Sequence, residues 1–158
     1  MKGIGPSCFC TANEEAAQMF QGPRQEQYRR LKLQGILDAP INICIVCDRR
    51  QQSEPVLGKT HQPETDVYST VCAVQNLWLS ARAENLGVGW VSIIEPTRLK
   101  KALHLPMGVV PVAYLCLGHV THFENQPELQ IKQWARREPV ESFIYDDELK
   151  ENSSNVLD

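Results

Sequence analysis

Apolar residues fall at helical spacing in one long stretch: Val67, Val71, Val74, Trp78 and Ala81 recur every three or four positions. Cys72, Ala73, Leu77 and Leu79 widen that stripe around most of the circumference, which predicts a helix held inside the core. Thr65 or Asp66 is the expected N-terminal cap, and Gly87 is expected to take the left-handed conformation that ends the helix. Gly89 to Ile94 then reads as a short buried strand that stops at Pro96. Two further apolar runs, Ile41 to Cys47 and Val109 to His119, read as strands. Upstream, Thr11 to Phe20 is expected to be helical, with Gly22-Pro23 ending it. Gln25 to Leu33 is expected to form a second helix that Gly35 stops. Pro96 to Leu105 reads as a short amphipathic helix with proline in its first turn. Strands interleaved with helices imply a mixed helix–sheet layer structure, but the pattern does not fix the strand order.

Composition narrows this picture without changing it. Apolar residues make up 42% of the 158 and charged residues 22%, so one hydrophobic core is within reach. The domain is expected over 11–145, with an unassigned leader at 1–10 and a disordered tail at 146–158. A net charge of −3 gives no electrostatic case for nucleic acid or an anionic membrane. No apolar run approaches the roughly 18 residues that span a bilayer. The start, MKGIGPSCFC, lacks the apolar core of a secretory signal, so a cytoplasmic protein is expected. Six cysteines then read as free thiols. Cys44 and Cys47 match C-x-x-C, but three positions apart on a strand they face opposite sides, and core thiols are expected there and at Cys72 and Cys116.

Candidate chemistry is sparse. His61, His104, His119 and His122 match no zinc spacing, so no metal site is expected. Gly87-Val88-Gly89 lacks the third glycine of a dinucleotide loop and follows a helix. Gln51 to Pro63 is a polar loop of a length used both for surface connections and for lids. Arg136-Arg137 could hold a phosphate or simply be a solvated pair. Ser92 lies in G-W-V-S-I rather than in a nucleophile elbow. A lone strand serine is ordinarily a tolerated small residue, but beside two glycines it marks a place where a flat ligand could approach the backbone.

Four segments together carry a resemblance: LKLQGILDAPINICIVCDRR, VLGKT, DVYSTVCAVQNLWLSARAENLGVGWVSIIEP and VAYLCLGHVTHFENQPELQIKQWARREPV. In this order they resemble the 5,6-dimethylbenzimidazole synthase family, with Tyr68-Ser69-Thr70, Gln75-Asn76-Leu77-Trp78 and Gly89-Trp90-Val91-Ser92 the closest matches. The resemblance implies an α+β, nitroreductase-like three-layer sandwich that forms a homodimer with flavin at the interface. It implies O2-dependent fragmentation of reduced FMN to the lower ligand of cobalamin, with no metal, and a flavin reductase as a partner that supplies FMNH2. Ser92 would be the catalytic residue. Gly89, Trp90 and Val91 would press backbone on the ring, Leu31 and Leu33 would pack on it, and Arg136 and Arg137 would reach the phosphate. The family's Arg-Arg-Asp-x-Arg-like and Pro-Ser…Gln-Pro-Trp segments have no counterpart, so the chain is read as incomplete at the N-terminus, and Asp38, Asp48 and Asp66 take no role from them. Two other readings stay open: an FMN-dependent NAD(P)H nitroreductase or flavin reductase, and a non-catalytic flavin-binding remnant.

Overall fold

The computed structural model describes residues 13–29, 34–50 and 56–147. They divide into two units, one running to Thr121 and the other beginning at His122.

The first unit is built on a three-stranded antiparallel sheet of β1 (Ile41–Asp48), β2 (Leu86–Trp90) and β3 (Val109–His119), in the order β1-β3-β2. The central strand, β3, is the most apolar segment. Its alternation divides the core: Ala113 and Leu115 face one side, and Tyr114 and Cys116 the other. On the first side, α4 (Thr65–Ala83) lays Val74 and Leu77 against Ala113, Leu115, Ile43, Ile45 and Val88. On the second, Ile36 of α3 (Gln34–Asp38) and Leu99 of α5 (Pro96–Ala102) pack on Tyr114, with Cys44 and Cys116 beside them. Helix, sheet and helix thus form three layers. The β1–β3 register shifts between Ile45 and Val46, which pair with Ala113 and Pro111. Val112 is the extra residue of this bulge, and Pro111, which has no N–H to donate, sits beside the irregularity.

Several boundaries differ from those read off the sequence. The stripe on α4 is not enclosed: Val74 and Ala81 are buried, whereas Tyr68, Val71, Cys72 and Leu79 are exposed. A helix on one face of a three-stranded sheet turns only one stripe toward it, so the wider apolar arc projects outward and Cys72 is not a core thiol. The helix N-cap is Glu64, with no side-chain cap bond, while the Thr65 hydroxyl donates to the Gln62 carbonyl at 2.7 Å. At the other end Asn85, not Gly87, has the positive φ of 58°. Asparagine tolerates that region because its short amide bonds locally. Gly87 lies inside β2, where its missing side chain matters instead: a Cβ there would stand 2.3 Å from Cγ1 of Val120.

The sequence placed Ser92 within a strand, but β2 ends at Trp90 and Ser92 is exposed beyond it. Near the N-terminus, residues 13–17 are helical (α1), and α2 spans Gly22–Arg29, so Gly22-Pro23 opens a helix rather than closing one. Gly35 lies within α3 instead of stopping a helix. α5 ends at Ala102, short of the expected Leu105.

An ionic network ties the segment before α4 to the end of β1. Asp66 receives Lys59 Nζ at 2.6 Å and Arg49 Nε at 3.0 Å, and Arg49 also reaches Glu64 and donates to the Pro63 carbonyl at 2.7 Å. In the second unit, α6 (Glu128–Ile131) is followed by a 3₁₀ turn at Val140–Phe143. Leu31 and Leu33 lie outside the described residues.

Candidate functional site

The site forms where β2 leaves β3. Trp90 pairs with Leu115 in the sheet, and the Val91 N–H still donates to the Tyr114 carbonyl at 2.9 Å. The chain then turns away. Ala113, Val112 and Pro111 are therefore left without a β2 partner along that edge of β3, since the pairing with β2 covers only Leu115 to His119. A cavity of about 230 Å³ opens there, between Trp90, Ser92 and Ile94 on one side and Pro111, Val112 and Tyr114 on the other.

The turn itself is held by α5. Glu95 caps that helix, its two carboxylate oxygens accepting from the Thr97 and Arg98 N–H groups at 2.8 Å each, and Pro96 follows with its ring preset for the first turn. These bonds, led by the Thr97 N–H, hold the Glu95 carboxyl below its ordinary range. On its other side the turn borders a second cavity, of about 390 Å³, that includes Glu15, Met19, Tyr28 and Glu95. Ser92 and Ile94 line both cavities and so form the partition between them.

Beneath the smaller cavity the groups are kept neutral. Burial, with the Cys116 and Cys44 thiols nearby, pushes the Tyr114 phenol up, and burial raises both thiols. Cys116 donates its S–H to Asn42 Oδ1 at 3.2 Å, while Asn42 Nδ2 donates to the Ile36 carbonyl at 3.1 Å. The cavity's own lining is largely apolar, with Trp90, Ser92 and Tyr114 supplying un-ionised hydrogen-bonding groups, a medium suited to an uncharged ring rather than to a phosphate.

The structure brings Trp90 and Ser92 together on one cavity. Gly89, next to them on β2, has nothing within 4 Å of the position a Cβ would take, so the backbone is open to approach there. Val91 is half-buried against the Tyr114 side of the core. Arg136 and Arg137 are exposed in the second unit, where the Arg137 N–H donates to Gln130 Oε1 at 3.2 Å. Ile94, Tyr114 and Val112 were missed by sequence reasoning. They read as core positions, and only the strand register shows that they meet Ser92. Glu15 and Tyr28 carried no signal linking them to this turn. Among the described residues, no cluster of three or more His, Cys, Asp or Glu side chains could hold a metal.

A family model for the nitroreductase family matches residues 1–119. The chain belongs to the nitroreductase family. It is similar to proteins named 5,6-dimethylbenzimidazole synthase: 39% identical over 138 residues to one from Rhodospirillum rubrum, covering 87% of this chain and 65% of that one. A second, from Rhodobacter capsulatus, is 36% identical over 133 residues, covering 84% of this chain and 64% of its own length. The chain thus spans somewhat less than two thirds of the curated relatives it matches. Among solved structures, a nitroreductase family protein from Clostridium difficile aligns with TM-score 0.53 at 16% identity over 94% of this chain and 90% of that one. A nitroreductase-like family protein from Bacillus cereus aligns with TM-score 0.51 at 20% identity over 95% and 71%. At such identities the likeness concerns the fold, and it agrees with the three layers described above. Among the described residues, no helix of this nitroreductase-family chain is long and apolar enough to cross a membrane.

Proposed function

We propose that the chain carries the ring-binding part of an FMN site and acts in making 5,6-dimethylbenzimidazole, the product its relatives are named for, by O2-dependent fragmentation of reduced FMN. The observation that carries this reading is the cavity at the open edge of β3, with Trp90 and Ser92 on its wall and an unobstructed Gly89 next to it. Its neutral lining suits an isoalloxazine ring, while the two carboxylates across the Ser92 partition are hostile to a phosphate. Arg136 and Arg137 are proposed as phosphate contacts on the resemblance alone. Reduced FMN would supply the electrons that O2 accepts. The protein's share is to hold the ring, exclude water and present the Ser92 hydroxyl as a hydrogen-bonding group at its edge.

A homodimer belongs to this proposal. Tyr68, Val71 and Leu79 are exposed along α4, an apolar face of the kind a second subunit covers. A separate flavin reductase would deliver FMNH2.

The test is a titration of the chain with FMN followed by fluorescence quenching, then addition of reduced FMN and O2 with product sought by mass. Binding in the micromolar range or tighter and formation of 5,6-dimethylbenzimidazole are expected. Ser92→Gly should keep binding and lose product, and full yield from that variant would remove Ser92 from the mechanism. Turnover of NAD(P)H with a nitroaromatic, without ring fragmentation, would replace this reading with a nitroreductase one.

A further inference from the structure

The larger cavity beside Ser92 is not accounted for by a ring lying along Gly89 to Ser92. Its walls come from separate parts of the first unit: Glu15 from α1, Tyr28 from α2, and Ser92, Ile94 and Glu95 from the turn before α5. Met19, 85% exposed, stands at its rim, a flexible thioether able to fold over an aromatic guest.

The chemistry of these walls is uneven. Tyr28 is stacked on Phe20, ring centroids 4.9 Å apart and planes inclined by 24°, so one aromatic ring braces the other. Glu15 and Glu95 are the two charged groups of the lining. Arg98 lies 3.5 Å from Glu15 and 4.0 Å from Glu95, so two carboxylates against one guanidinium leave one net negative charge. Glu95 is also bonded to the α5 N–H groups and to the Thr97 side chain, so what it brings to the cavity is its fixed negative charge. A braced aromatic wall and a net negative rim repel a phosphate or carboxylate and attract a flat cation.

We propose that this cavity is a second binding site, taking a planar aromatic cation such as an amidinium-bearing or protonated nitrogen heterocycle, with Ser92 as the wall it shares with the smaller cavity. The site requires no flavin. A ring bound in it would lie against the same serine that faces the neighbouring cavity, which makes it a place for a second reactant or a departing basic product.

Three isosteric probes separate charge from shape: benzamidine (cation), benzamide (neutral) and benzoate (anion). Each is titrated into the flavin-free chain and followed by the ring resonances of labelled tyrosine. Benzamidine should bind about fivefold more tightly than benzamide, the worth of one partly exposed charge contact, and benzoate should bind more weakly than either. Glu15 is exposed, so Glu15→Lys should leave the fold intact and remove the preference for the cation. Tyr28→Leu keeps apolar bulk and should also lose benzamidine affinity. Benzoate binding as tightly as benzamidine, a preference that survives Glu15→Lys, or no benzamidine binding to the folded chain at millimolar concentration would each overturn the proposal. None of these outcomes depends on FMN, so this site and the flavin site stand or fall separately.

Discussion

Two glycines of β2, two residues apart on the same strand, offer a test that separates folding from ligand binding. Replacing Gly89 with valine adds three carbons where nothing lies within 4 Å, and the backbone there needs no positive φ. Valine is a good strand residue, so stability should hold or rise by about 0.5–1 kcal/mol. Replacing Gly87 with valine drives a Cβ to 2.3 Å from Cγ1 of Val120, itself a branched and stiff side chain. Overpacking of this kind costs about 1–3 kcal/mol, which lowers the melting temperature of a domain this size by about 2–12 °C. If a flavin ring lies against Gly89, the new valine occupies its van der Waals space, and FMN affinity should fall at least tenfold, about 1.4 kcal/mol. The assay is a thermal melt and an FMN fluorescence titration on parent, Gly89→Val and Gly87→Val. A Gly89→Val protein that melts normally and binds FMN as the parent does would refute the placement of the ring. A Gly87→Val protein as stable as the parent would refute the packing of β2 against Val120.

Other predictions concern the frame that holds the site. Leu115 is fully buried at the centre of the sheet, so Leu115→Ala should cost about 3–5 kcal/mol in a denaturant melt. Leu79→Ala, on the outward face of α4 and 60% exposed, should change the stability of the monomer by less than about 0.5 kcal/mol. A loss that grows with protein concentration would show instead that a partner covers that face. Asp66→Asn leaves Lys59 and Arg49 facing a neutral amide where each now meets a carboxylate, and should cost about 1–3 kcal/mol, read as a lower melting temperature that rising salt brings closer to the parent's. Hydrogen bonding from Arg50 draws the Asp48 carboxyl down to about 2. Because the folded value is the lower one, the stabilisation is present above the ordinary aspartate range and fades as pH falls toward about 2. The melting difference between parent and Asp48→Asn should therefore be constant above pH ~5 and shrink as pH falls through about 2, and a difference that grew on acidification would contradict the pairing.

Much of the fold was legible because local chemistry wrote it. β3 begins and ends where its apolar run does, at Val109 and His119, and β1 covers the expected Ile41 to Cys47 with one residue more. Misread boundaries share one cause: glycine and proline serve more than one purpose. Pro23 opens α2, Gly35 sits inside α3, and Gly87 makes room for Val120 while Asn85 turns the chain. Ser92 stood out as a candidate because G-W-V-S is distinctive at short range. Tyr114, Ile94 and Tyr28 did not, since each reads locally as an ordinary core or helix residue.

The sequence by itself determined the long central helix and the two most apolar strands, the nitroreductase-like resemblance and the serine beside two glycines. These depend on residues within a few positions of one another, where periodicity and steric preference act directly. The tertiary structure decided the rest: the order β1-β3-β2, the outward turn of half of α4, and the meeting of Ser92 with β3 on one side and with Glu15 and Tyr28 on the other. These features rest on contacts between residues far apart in the chain, and hydrophobic burial, which drives them, fixes that an apolar side chain is covered but not what covers it.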